Sequence, residues 1–149
     1  MAPIAVGASA PTLPGTDIED GPKAVVFYKV TCPTCQLAAP AMERLYRAFP
    51  DGFVAIVQDA PDRAEEFAAR FETSFPSVSE GEPYPISNAY GLEAVPTVYL
   101  VDGGKIEDVA ESWDREAWNR VGERLAELAG REAQVLSEEG DGLPAFRPG

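Results

Sequence analysis

A chain of 149 residues with 45% hydrophobic residues has the size and composition of one globular domain, not of a disordered chain. Its 25 acids against 12 bases give a net charge of −13, which repels phosphate backbones and anionic membrane surfaces and argues against nucleic acid as a partner. There is no histidine, which excludes Ser-His-Asp and Cys-His hydrolases, zincins and haem sites with a histidine ligand.

The N-terminal stretch Met1-Ala2-Pro3-Ile4-Ala5-Val6-Gly7 has neither a basic region nor a sustained apolar run, so it does not read as a secretory signal. The expected location is cytoplasmic, or extracytoplasmic if an export signal has been removed. The longest apolar stretch, Ala24 to Tyr28, is far short of the roughly 20 residues that cross a bilayer, so no membrane span is expected.

Lys23-Ala24-Val25-Val26-Phe27-Tyr28 is a β-branched and aromatic run of the kind buried on both faces of a sheet. Thr31 is a candidate helix cap. Met42, Leu45, Tyr46 and Phe49 follow at i, i+3, i+4 and i+7, which predicts an amphipathic helix from about Pro33 to Phe49 with Pro40 inside it as a source of a kink. Phe53 to Gln58 reads as a strand, and Pro61 to Phe71 as a helix with proline at its first position. Phe75 to Ser79 suits a short edge strand, and Ile86 to Tyr90 a short helix stopped by Gly91. Thr97 to Val101 and Lys105 to Ala110 form a hairpin around Asp102-Gly103-Gly104. A last helix begins near Asp114, a good N-cap, with Trp118, Val121, Leu125 and Leu128 on one stripe before Gly130. This defines a domain over residues 1–130. Residues 131–149 form an acidic tail containing glycine and proline, expected to be mobile after at most one extra helical turn.

The only two cysteines are Cys32 and Cys35, in Cys32-Pro33-Thr34-Cys35. A disulfide framework would use more cysteines at wider spacing. A closed zinc site needs four ligands, and with no second pair and no histidine no metal is expected. Two incidental buried thiols, or a dithiol that cycles with a disulfide, remain. The pair falls where a buried strand hands over to a helix N-terminus, whose free N–H groups and dipole stabilise a thiolate, and this favours the redox-active reading. Lys29, three residues before Cys32, is a candidate cation for that thiolate unless it turns to solvent.

The order strand, Cys-x-x-Cys at a helix start, strand, helix, then Val95-Pro96-Thr97 opening a strand that enters a Gly-containing hairpin, resembles the thioredoxin fold. Val6-Gly7-Ala8-Ser9-Ala10-Pro11-Thr12-Leu13-Pro14 is similar to the N-terminal hairpin of the TlpA-like and AhpC/TSA-like branch. So are the insert from Ala60 through Glu82 and the run Ala89 to Asp102. The resemblance covers about Val6 to Leu128. It implies an α/β thioredoxin-like fold with a central mixed sheet flanked by helices, an N-terminal hairpin and an inserted helix and strand.

For function, the resemblance implies a monomeric protein disulfide oxidoreductase without a bound cofactor, exchanging thiols and disulfides with a protein substrate and a redox partner. Cys32 is then the attacking thiolate and Cys35 the buried resolving thiol. Pro96 is the cis-proline facing the pair, and Val95 offers backbone groups to an extended substrate. Pro33, Thr34, Tyr28 and Lys29 complete the surrounding shell. Thr31 stands where the family usually has Trp, with Tyr28 kept as a second aromatic further back. Val26 and Ala38 stand where thioredoxins and the TlpA-like branch place an acid near the second cysteine. Two alternatives are a non-catalytic binding module and a peroxiredoxin-like thiol peroxidase. Thr31-Cys32-Pro33-Thr34 echoes the peroxidase string, but Val25 and Lys29 occupy the positions where that motif wants Pro and Thr or Ser.

Overall fold

A computed structural model describes residues 3–149; Met1 and Ala2 of the N-terminal stretch lie outside the described residues. The elements run in the order β1 (Pro22–Tyr28), α1 (Pro33–Ala48), β2 (Phe53–Val57), α2 (Pro61–Phe71), β3 (Ser77–Ser79), α3 (Pro85–Ala89), β4 (Thr97–Asp102), β5 (Lys105–Glu111), β6 (Trp113–Asp114), α4 (Arg115–Ala129) and β7 (Phe146–Arg147). Five strands form one sheet in the order β3-β2-β1-β4-β5. The β1–β2 and β2–β3 pairs are parallel, and β1–β4 and β4–β5 antiparallel.

The alternation of β1 divides the interior in two, because successive side chains of a strand point to opposite faces. Ala24, Val26 and Tyr28 join Met42 and Leu45 of α1, Phe67 of α2 and Trp118, Val121 and Leu125 of α4. Val25 and Phe27 join Tyr99 of β4, Tyr90 beyond α3, and Leu13 and Ile18 from the N-terminal segment. Both faces of β1 are covered, which explains its unbroken apolar run.

Several local expectations are corrected. The N-terminal hairpin is reduced to single bridges, Leu13 with Thr16 and Ser9 with Lys105. The edge strand starts at Ser77 and not at Phe75, whose ring instead packs edge-on against Tyr28, 5.7 Å between centroids. The cap of α1 is Cys32, one residue after Thr31.

The largest correction is the tail. No helical turn follows Gly130; the chain folds back along α4. Leu136 is wholly buried against Gly122 of that helix, and the Asn119 side chain bonds the backbone of Leu136 and Ser137 in both directions. Arg115 donates to the carbonyl of Leu143 at 2.6 Å, and the Trp113 indole to that of Pro144 at 2.8 Å. Asp141, accepting from the Leu143 N–H and the Ser137 hydroxyl, has its carboxyl lowered to about 2. Residues 146–147 then pair antiparallel with Trp113 and Asp114.

Candidate active site

The parallel pairing of β1 with β2 sets Tyr28 opposite Val57, so the loops that leave these two strands run side by side. Cys32 caps α1 in extended geometry, and its sulfur accepts the N–H of Cys35 at 3.3 Å. Pro33 is the first helical residue, where the missing N–H leaves nothing unpaired. Cys32 is partly exposed and Cys35 wholly buried, and both are free thiols.

Their electrostatics diverge. Cys32 is lowered to about 6: the Cys35 thiol donates to it, burial opposes, and the Cys35 and Thr34 amides and the Arg147 charge assist. Its S–H also faces the Val95 carbonyl at 3.4 Å, a bond available only to the protonated form. The donors aimed at the sulfur outweigh it. Burial pushes the Cys35 thiol well above its ordinary range, and so does its donation to Cys32, since ionisation would forfeit that bond; the Lys29 backbone acts in the opposite direction. The result is one ready thiolate and one held proton.

The Val95–Pro96 bond is cis, and Val95 meets the Cys32 sulfur. Tyr28 is buried, 2.6 Å from the Ser77 hydroxyl, and its phenol is raised chiefly by burial. The charges of Asp59 and Cys35 raise it too, and Tyr28 shares one buried cluster with Cys35. Thr34 turns its hydroxyl to the Pro148 carbonyl at 2.7 Å. Lys29 contributes through its backbone, accepting the Cys32 N–H at 3.2 Å. A cation that favours the Cys32 thiolate is Arg147, more than a hundred residues away in sequence.

Two groups at the site escaped the sequence reading. Asp59 accepts the Val30 N–H at 2.8 Å, and its charge acts on both Cys35 and Tyr28. The signal for it was the β1–β2 pairing, which brings residues just after Val57 beside those just after Tyr28. The second is the tail, from Arg147 to Gly149, for which no local pattern exists. Among the described residues no group of three or more Cys, Asp or Glu could hold a metal ion, and no helix is long and apolar enough to cross a membrane.

Comparison with known proteins places this arrangement. The thiol-disulfide oxidoreductase ResA of Halalkalibacterium halodurans is 28% identical over a match covering 58% of this chain and 57% of its own, so the chain spans little more than half of that relative. The thioredoxin domain of a Bacteroides vulgatus thiol-disulfide oxidoreductase superposes with a TM-score of 0.66 at 22% identity, covering 82% of this chain and 99% of that one. A secreted Mycobacterium tuberculosis disulfide oxidoreductase superposes with a TM-score of 0.60 at 18% identity, covering 74% and 84%. These structures establish a thioredoxin-like fold, and the secreted one gives the cytoplasmic expectation no support. Residues 10–109 match the AhpC/TSA family, from the N-terminal segment through the Cys32–Cys35 pair and the cis-proline into β5, and the chain belongs to that family.

Proposed function

We propose that the chain is a thiol-disulfide oxidoreductase acting on protein disulfides or dithiols through Cys32 and Cys35, with no bound cofactor. The observation that carries this is the asymmetric pair: a partly exposed Cys32 lowered to about 6 beside a buried Cys35 that keeps its proton. Only a thiolate attacks a disulfide, and the thiol that resolves the intermediate must be near but unreactive until then.

In the reducing direction the Cys32 thiolate attacks one sulfur of the substrate disulfide. That S–S bond breaks, a Cys32–substrate disulfide forms, and the displaced thiolate takes a proton from solvent. With Cys32 no longer anionic, Cys35 loses its hydrogen-bond acceptor and the negative charge opposing its ionisation. Its proton leaves for a base, and we assign that role, left empty by Val26 and Ala38, to Asp59, the carboxylate whose charge acts on Cys35. The Cys35 thiolate attacks the Cys32 sulfur, closing the Cys32–Cys35 disulfide and releasing the second substrate thiolate. Two electrons move from the pair to the substrate, and a dithiol partner restores the pair. The reverse sequence oxidises a substrate dithiol, with direction set by the relative potentials. Val95 and Pro96 face the incoming sulfur, and Thr34 and Pro33 border it.

Insulin reduction in the presence of dithiothreitol tests the reading. The wild type accelerates it, and Cys35→Ser accumulates a mixed disulfide visible by mass spectrometry. Peroxide consumption with no disulfide exchange would replace this reading with the thiol peroxidase. Inertness in both assays would leave a binding module.

A further inference from the structure

The segment that closes the fold runs through the place where a substrate meets Cys32. After β7 pairs with β6, the Pro148 carbonyl accepts the Thr34 hydroxyl at 2.7 Å, within the first turn of the dithiol helix. The Gly149 N–H donates to the Ser112 hydroxyl at 3.1 Å. Gly149 lies so close to Val95 that a Cβ built on it would overlap the Val95 carbonyl, the same oxygen that faces the Cys32 sulfur. Arg147, in β7 just before these anchors, lends Cys32 a positive charge on a molecule of net charge −13.

We propose that residues 146–149 are a tethered peptide ligand seated in the groove formed by Thr34, Val95, Ser112 and β6, and that a protein substrate must displace it to reach Cys32. This rests on the thiol-disulfide reading of the site. β7 pairs with the short strand β6 in a sheet of their own, and strand pairing with side-chain bonds fixing the register is a general mode of peptide recognition. The groove's ligand class follows from its contacts: an extended segment with a carbonyl toward Thr34, an N–H toward Ser112, and a glycine against Val95, where no side chain fits. A short tether presents such a ligand at millimolar effective concentration, so modest affinity keeps it in place. A strap seated nine-tenths of the time weakens apparent substrate binding roughly tenfold, since only the open fraction is competent. Cys32 stays partly exposed beneath it, so the cover excludes polypeptides more than small reagents.

The experiment compares Cys32 labelling by a polymer-linked maleimide with labelling by iodoacetamide, as a ratio, so that changes in thiolate population cancel. It is run on the full chain, on full-length Gly149→Leu, and on a variant lacking residues 146–149, which belong to neither apolar core. The ratio is expected to rise roughly tenfold without the strap, and to rise in Gly149→Leu, whose side chain cannot lie on Val95. The free peptide Ala-Phe-Arg-Pro-Gly, residues 145–149, should lower it again when added to the shortened variant. An unchanged ratio in the shortened variant, or no effect of the free peptide, overturns the proposal. Insulin reduction measured in parallel separates the two readings: a ratio that responds as expected in a protein that reduces nothing leaves the strap standing and removes the oxidoreductase.

Discussion

Removing the Cys35 thiol is the sharpest test of why Cys32 is acidic, because its hydrogen bond is the largest influence holding Cys32 at about 6. A hydrogen bond to a charged group contributes about 1.5–3 kcal/mol, and 1.36 kcal/mol corresponds to one pH unit, so Cys35→Ala should move the Cys32 midpoint to between about 7 and 8. Full return to the reference near 8.5 is not expected, since the Cys35 and Thr34 amides and Arg147 still face the sulfur. Cys35→Ser, which keeps a donor at the same place, should stay near the wild-type midpoint of about 6.

A rate at one pH would miss this. At pH 7 a midpoint of about 6 leaves about 90% thiolate, and a midpoint of about 7.5 about 25%, a loss near fourfold. A more basic thiolate is intrinsically more nucleophilic, by about fourfold to sixfold over the same change. The two nearly cancel, so the assay must be the full pH profile of iodoacetamide alkylation, with the labelled cysteine identified by mass spectrometry. A Cys35→Ala midpoint that stays at about 6 refutes the thiol–thiolate bond as the main cause. A wild-type midpoint near 8.5, or labelling of Cys35 before Cys32, refutes the asymmetric pair itself.

The charge assignments separate in the same assay: Lys29→Met should leave the Cys32 midpoint in place, and Arg147→Gln should raise it. Asp59→Asn should leave the first attack on a substrate unchanged and slow the release of the mixed disulfide, read as accumulation of that species by rapid acid quench; equal release rates would remove Asp59 from the mechanism. Leu136→Ala should cost about 2–5 kcal/mol in denaturant unfolding, as for other buried leucines, where a free tail would register nothing.

The Cys-x-x-Cys helix was legible because its determinants are local. An apolar run, a proline at the first helical turn and a stripe at helical spacing all lie within Lys23 to Phe49 and report on one strand and one helix. The same holds for α2, α4 and the β4–β5 hairpin. Thr31 is not the cap for an equally local reason: the helix begins at Pro33, so the flanking residue is Cys32, whose sulfur has a lone pair to accept the Cys35 N–H.

Residues 131–149 were opaque for a different reason. Glycine and proline measure how freely a backbone moves when nothing holds it, and what holds this one is spread over other elements. Asn119 on α4 supplies both a donor and an acceptor to residues 136–137; Arg115, Trp113 and Thr34 each donate to one later carbonyl; Ser112 accepts the last amide. In sequence, each of these residues reads as a helix surface, a core aromatic or a turn. Their hydrogen-bonding capacity is visible, but the partner that uses it is not, since no periodicity links Thr34 to Pro148. The prolines and glycines help the segment lie there: Pro144 and Pro148 lack an N–H that would need pairing along the route, and only glycine meets Val95 without a side chain. A composition that signals disorder when its partners are out of view is here held by Trp113, Thr34 and Ser112, each from a different part of the chain.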